Sequence, residues 1–119
     1  MKQVGYSVIV ERDIRELRKI MEQTYGIREL TEEQVITHVI LKCPLHRNSL
    51  ISAGKNMLIF PTKSVLLEVD DDIGQRLQDI AKDLKIKDTK VVLSCLIRLL
   101  INLYRIKFAD FSNIQFNFD

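Results

Sequence analysis

The stretch from Lys63 to Tyr104 constrains the fold more than any other part of this chain. Val65, Leu67 and Val69 alternate with Ser64, Leu66 and Glu68, the period of two that belongs to a strand with one buried face. Asp70, Asp71 and Asp72 follow at once, where negative charge favours a helix start by meeting its exposed N–H groups and the positive end of its dipole. Ile73, Leu77, Ile80, Ala81 and Leu84 then share one helical face, with Gln75, Arg76, Gln78, Asp79, Lys82 and Asp83 on the other. A tight connection, Lys85-Ile86-Lys87, leads to a second helix marked by Val91, Val92, Cys95, Leu96, Leu99, Leu100 and Leu103. The order is strand, helix, turn, helix.

A unit of about forty residues hides too little apolar surface to offset the entropy of ordering it, so a second copy must complete the core. The N-terminal half supplies one. Tyr6, Val8 and Val10 alternate with Ser7, Ile9 and Glu11; Ile14, Leu17, Ile20 and Met21 form a helical face; Tyr25-Gly26-Ile27 makes the turn; Val35, Ile36, Val39, Ile40 and Cys43 mark the second helix. The chain reads as an internal duplication.

Val69-Asp70-Asp71-Asp72-Ile73, Leu77, Ile80-Ala81, Leu84-Lys85-Ile86, Val91-Val92 and Cys95-Leu96 together resemble, without a gap, the pattern of the ribbon-helix-helix family, which includes the Arc and methionine repressors. The first copy, Tyr6 to Cys43, is similar with Arg28-Glu29-Leu30 inserted before Thr31. The resemblance implies a mainly α fold with a short two-stranded antiparallel ribbon. Family members usually pair one strand from each of two subunits, so two copies in one chain imply a tandem pseudo-dimer, with Tyr6 to Glu11 against Ser64 to Val69. Two-in-one versions of the family occur among conjugation accessory proteins and regulators of archaeal filamentous viruses. The implied organisation is a single domain over 1–119: a first repeat at 3–43, a basic linker at 44–62, a second repeat at 63–104 and an aromatic tail at 105–119.

A length of 119 residues, 46% of them hydrophobic and 29% charged, suits one folded domain. No positively charged segment followed by an apolar run opens the chain, and Val91 to Tyr104 is too short and too interrupted to span a bilayer. The expected location is intracellular, in the cytoplasm or in the host cell of a virus, with no membrane partner. Cys43 and Cys95 fall on buried helical faces and are expected as small free hydrophobes, since a disulfide is rare inside cells. His38, Cys43 and His46 lie within nine residues, but a zinc site needs a fourth ligand and Cys43 faces the core; no metal and no cofactor is expected.

In the family the outward face of the ribbon enters the major groove, which admits two strands. With Tyr6, Val8 and Val10 turned inward, the resemblance puts Ser7 and Ile9 on that face, preceded by Gln3 and Gly5 with Lys2 close by. Ser7 and Gln3 can hydrogen-bond base edges and Ile9 can touch a thymine methyl. On the second strand Ser64, Leu66 and Glu68 face outward, with Thr62 and Lys63 at its edge. Glu68 can accept from a cytosine amino group, although family members usually carry Arg, Lys, Asn or Thr there. The second helix of each copy is expected to point its N-terminus at a phosphate. In the second copy Lys87, Thr89 and Lys90 stand there, with Asp88 as a local cap. In the first copy Thr31-Glu32-Glu33-Gln34 is a capping box, and its two glutamates oppose a phosphate.

Pro44 ends the first copy. From Gln34 to Leu67 there is no Asp or Glu, while Lys42, Arg47, Lys55 and Lys63 are present with His38 and His46. This linker is either an ordinary connector or a segment lying near a phosphate backbone. It contains Ala53-Gly54-Lys55-Asn56 as a turn and Met57 to Phe60 as an apolar run. The last helix, Val91 to about Lys107, adds Leu93, Ile97 and Ile101 and so needs cover on several sides. That cover is either the tail, with Phe108, Phe111, Ile114, Phe116 and Phe118, or self-association with another copy.

No phosphate loop, nucleophile elbow or His-Glu metal helix is present, so the chain is not expected to be an enzyme. The expected function is sequence-specific binding of double-stranded DNA as a transcriptional regulator. The alternative is a protein-interaction module, or an antitoxin-like protein, on the same scaffold.

Overall fold

Two strands distant in sequence pair with each other, and their outer face is exposed. The structure, a computed structural model, describes residues 1–54 and 64–109. Strand β1 (Lys2–Ser7) leads into α1 (Val8–Tyr25), α2 (Glu32–Lys42) and α3 (Arg47–Gly54); β2 (Ser64–Val69) leads into α4 (Asp71–Leu84) and α5 (Thr89–Ala109). The protein is mainly helical with one two-stranded antiparallel sheet. Thr62, Lys63, the apolar run Met57 to Phe60 and the tail from Asp110 lie outside the described residues.

The antiparallel pairing of the first strand with the second is as expected, but its register is different. Lys2 stands opposite Val69, Val4 opposite Leu67, Tyr6 opposite Val65 and Ser7 opposite Ser64. The first strand is therefore not Tyr6 to Glu11: it ends at Ser7, and Val8, Ile9 and Val10 are the first turn of α1 rather than strand residues. The reason lies in Val10. It extends the buried helical stripe of Ile14, Leu17 and Met21 by one turn, while Val4 and Tyr6 supply the two buried side chains the strand needs. Three residues that alternate also fit the start of a helix, and the longer periodic run wins.

The expected core faces are buried: Ile73, Leu77, Ile80, Ala81 and Leu84 on α4; Val35, Ile36, Val39, Ile40 and Cys43 at α2; Val92, Cys95, Leu96, Leu99 and Leu100 on α5. Leu93, Ile97 and Ile101 are buried too, because α5 packs on α1, α2, α4 and β1 and also on α3. Helix α3 was not legible in the linker. Its N-terminus is capped by an unusual residue: His46 Nδ1 accepts from Ser49 N at 3.4 Å and lies 3.0 Å from Ser49 Oγ. Leu50, on α3, is buried against the core, so part of the linker provides cover for α5.

Both first helices end alike. Gly26 (φ 65°) and Lys85 (φ 57°) close α1 and α4 in the left-handed region, and the N–H groups of Ile27 and Ile86 donate back to Glu22 O and Ala81 O at 3.2 and 3.0 Å. Where α1, α2 and α5 meet, Tyr104 Oη lies 2.7 Å from Tyr25 Oη and 3.0 Å from His38 Nε2. Asp13 on α1 is buried and pairs with Arg98 on α5 at 3.2 Å; burial raises its carboxyl above the usual range and the Arg98 guanidinium pulls it back only in part.

Candidate nucleic-acid interface

The outer face of the ribbon is built from alternate residues of both strands. Gln3 lies opposite Glu68 and Gly5 opposite Leu66. Gln3 and Glu68 are exposed, and Leu66 is 61% exposed although it is a large apolar residue. The absence of a side chain at Gly5 decides what else reaches this face. A Cβ added there would lie 3.1 Å from Lys90 Cε and 3.3 Å from Leu66 Cδ2, so the Lys90 side chain lies against β1 in the space Gly5 leaves.

Lys90 comes from the first turn of α5. Asp88 caps that helix, its Oδ1 accepting from Lys90 N at 2.9 Å, as the sequence suggested. Lys87 is exposed just before it, and Thr89 is half-buried. The fold thus brings Gln3, Leu66, Glu68 and Lys90 together, with Lys87 and Thr89 at the same helix start. Lys90 was expected near a phosphate; its position against Gly5 was signalled only by the glycine between Val4 and Tyr6.

Other expected contacts are elsewhere. Ser7 does not face outward: it is fully buried at the strand–helix junction, and among the described residues its Oγ has no hydrogen-bond partner. Its burial follows from its place at the end of β1, where it is the N-cap residue of α1 and the chain turns into the helix. Ile9 is helical and does not belong to the ribbon. Lys2 sits on the inner side of β1, its Cβ against Gly74 of α4 and its Nζ donating to Gln75 Oε1. Ser64 is at the end of β2 opposite Ser7.

The start of α2 is chemically different from that of α5. Thr31 Oγ1 accepts from Gln34 N at 3.1 Å and Gln34 Oε1 accepts from Thr31 N at 2.9 Å, the expected capping box. Those groups are satisfied internally, and Glu32 and Glu33 add negative charge. The Glu32 carboxylate accepts from the Tyr6 hydroxyl, and burial together with this contact pushes the Tyr6 phenol well above its usual range. An anion has little to hold on to here.

Both cysteines are buried free thiols; burial raises Cys43 to about 12, and its Sγ lies 3.4 Å from Leu96 O. Among the described residues no cluster of three His, Cys, Asp or Glu side chains is placed to hold a metal ion, and no helix is long and apolar enough to cross a membrane. Comparison with protein families, with curated proteins and with solved structures finds no match.

Proposed function

We propose that this chain is a sequence-specific DNA-binding regulator that inserts the β1–β2 ribbon into the major groove. The observation that carries this reading is the antiparallel pair whose exposed face combines Gln3, Leu66 and Glu68, with the Lys90 side chain lying against Gly5 of the same ribbon. A groove of B-DNA that accepts two strands can be read by such a face: the Gln3 amide suits adenine, Glu68 suits a cytosine amino group and Leu66 suits a thymine methyl. Lys87, Thr89 and Lys90 at the start of α5 are the phosphate contacts, and α2 with Glu32 and Glu33 contributes little.

The tandem pseudo-dimer belongs to the same reading. Strand, helix, helix occurs on either side of α3, and the halves interlock: α5 packs on β1 and α2 on β2, while α1 contacts α5 and α2 contacts α4. This cross-packing supports the reading of two ribbon-helix-helix subunits within one chain. No catalytic step is part of it.

The test is a band-shift series with DNA selected from a random pool. Gln3→Ala with Glu68→Ala should relax sequence preference at the positions read, at about 1–3 kcal/mol per lost base contact. Lys90→Ala should weaken binding to all sequences and lower the salt slope by about one. Unchanged affinity and preference in both variants would reject ribbon reading. A second reading, a protein-interaction module or antitoxin-like protein, draws on the exposure of Leu66 beside Glu68. It predicts no selected DNA and loss of a protein partner on Leu66→Ser.

A further inference from the structure

A basic surface that shares Lys87 with the proposed phosphate contacts lies at the corner where α4 turns into α5. A cleft of about 560 Å³ is lined there by exposed Lys82, Lys85 and Lys87 over buried Ala81 and half-buried Ile86. No carboxylate lines it, and among the described residues none of these lysines forms an ion pair. Three like charges around an apolar floor gain little from one another and would gain from an acidic partner.

Lys85 adds a second, separate observation. It adopts the left-handed conformation (φ 57°, ψ 37°) that Gly26 adopts (φ 65°, ψ 27°) at the matching end of α1, and both ends are closed by the same backbone bonds. Glycine adopts this conformation without steric cost and lysine does not. Among the described residues the Lys85 side chain makes no hydrogen bond or ion pair that would compensate. A cation is thus held at the rim of the cleft at the expense of the local backbone, the pattern of a position serving contact rather than folding. A phosphate backbone would use the lysines but not the apolar floor; a peptide uses both.

We propose that this cleft docks an acidic segment of a partner protein, with one bulky apolar side chain over Ala81 and Ile86 and flanking carboxylates at Lys82, Lys85 and Lys87. The proposal does not depend on DNA binding. It is tested on the full chain, ¹⁵N-labelled and titrated with the synthetic peptide Glu-Glu-Leu-Phe-Glu-Glu. Saturable shifts at the amides of Ala81, Ile86 and Lys87 are expected, with affinity reduced about tenfold by the double change Lys82→Gln, Lys87→Gln, which removes two partly exposed charge contacts. Lys85→Gly separates folding from binding: it should raise the urea midpoint while weakening the peptide. Variants with Gln3→Ala and Glu68→Ala should bind the peptide unchanged. Equal binding of a peptide with Ser in place of Leu-Phe, unaltered affinity in Lys85→Gly, or a DNA duplex that shifts the Ala81 and Ile86 amides as the peptide does would each overturn the proposal.

Discussion

Gly74 and His38 show how single residues are tied to their surroundings. A Cβ at Gly74 would lie 2.6 Å from Lys2 Cβ, closer than two such atoms approach, because β1 runs directly over the first turn of α4. Alanine would normally improve a helix interior by about 1 kcal/mol. Gly74→Ala should instead destabilise by about 1–3 kcal/mol through overpacking, read as a lower urea midpoint. His38 sits beneath Tyr104 and beside Tyr25, four residues from Lys42; burial first, and the Lys42 charge second, hold its imidazole below the usual range. The unfolded chain takes up this proton near the ordinary value of about 6.5, before the folded chain does. Stability should therefore decline as pH falls through that value and level off once folded His38 is protonated too. His38→Gln should flatten the decline in urea titrations across about pH 7.5 to 5. Ser7 and Ile9 mark where residue-level reading failed: alternation from Tyr6 to Val10 fits a strand, but Val10 shares a buried stripe with Ile14 and Leu17, and only the fold shows which period rules.

Elements were legible wherever a start signal and a periodic face agreed. Asp71 and Asp72 open α4, Thr31 and Gln34 open α2, and Asp88 opens α5, each next to an apolar stripe that is buried as read. Thr31→Ala should cost about 1 kcal/mol, since Gln34 N loses its acceptor, and a thermal melt would register the shift. Gly26→Ala should cost a similar amount for a different reason: nothing crowds the site, so the penalty is the left-handed backbone alone, about 1–2 kcal/mol, measured by urea unfolding. Helix α3 lacked such signals. Its cap is a histidine, its apolar content is modest, and its reason for forming is the surface of α5 on which Leu50 is buried. An element stabilised mostly by what it packs against leaves a faint trace in its own residues.

Across the whole molecule the two halves share one core. Val4, Tyr6 and Ile14 come from one half, Val69, Leu77 and Leu100 from the other, and all belong to a single buried cluster. Neither half covers its own apolar faces, so fragments 1–54 and 64–119 should show little cooperative melting alone and recover helical structure on mixing, a comparison made by circular dichroism. The candidate interface is a product of the same interlocking: Gly5 and Lys90 belong to opposite halves and meet because α5 packs on β1.

By itself the sequence determined the order of strand and helices in each half and the faces they bury, because periodic burial and capping are written in neighbouring residues. That the two strands should pair was an expectation carried by the family resemblance, and the fold has that pair. The tertiary structure decided the register of that pairing, the helical start at Val8, the burial of Ser7, the presence of α3 and the reach of Lys90 over Gly5. Each of these depends on which distant surfaces meet, and the energy of such contacts is shared between segments that no local pattern connects.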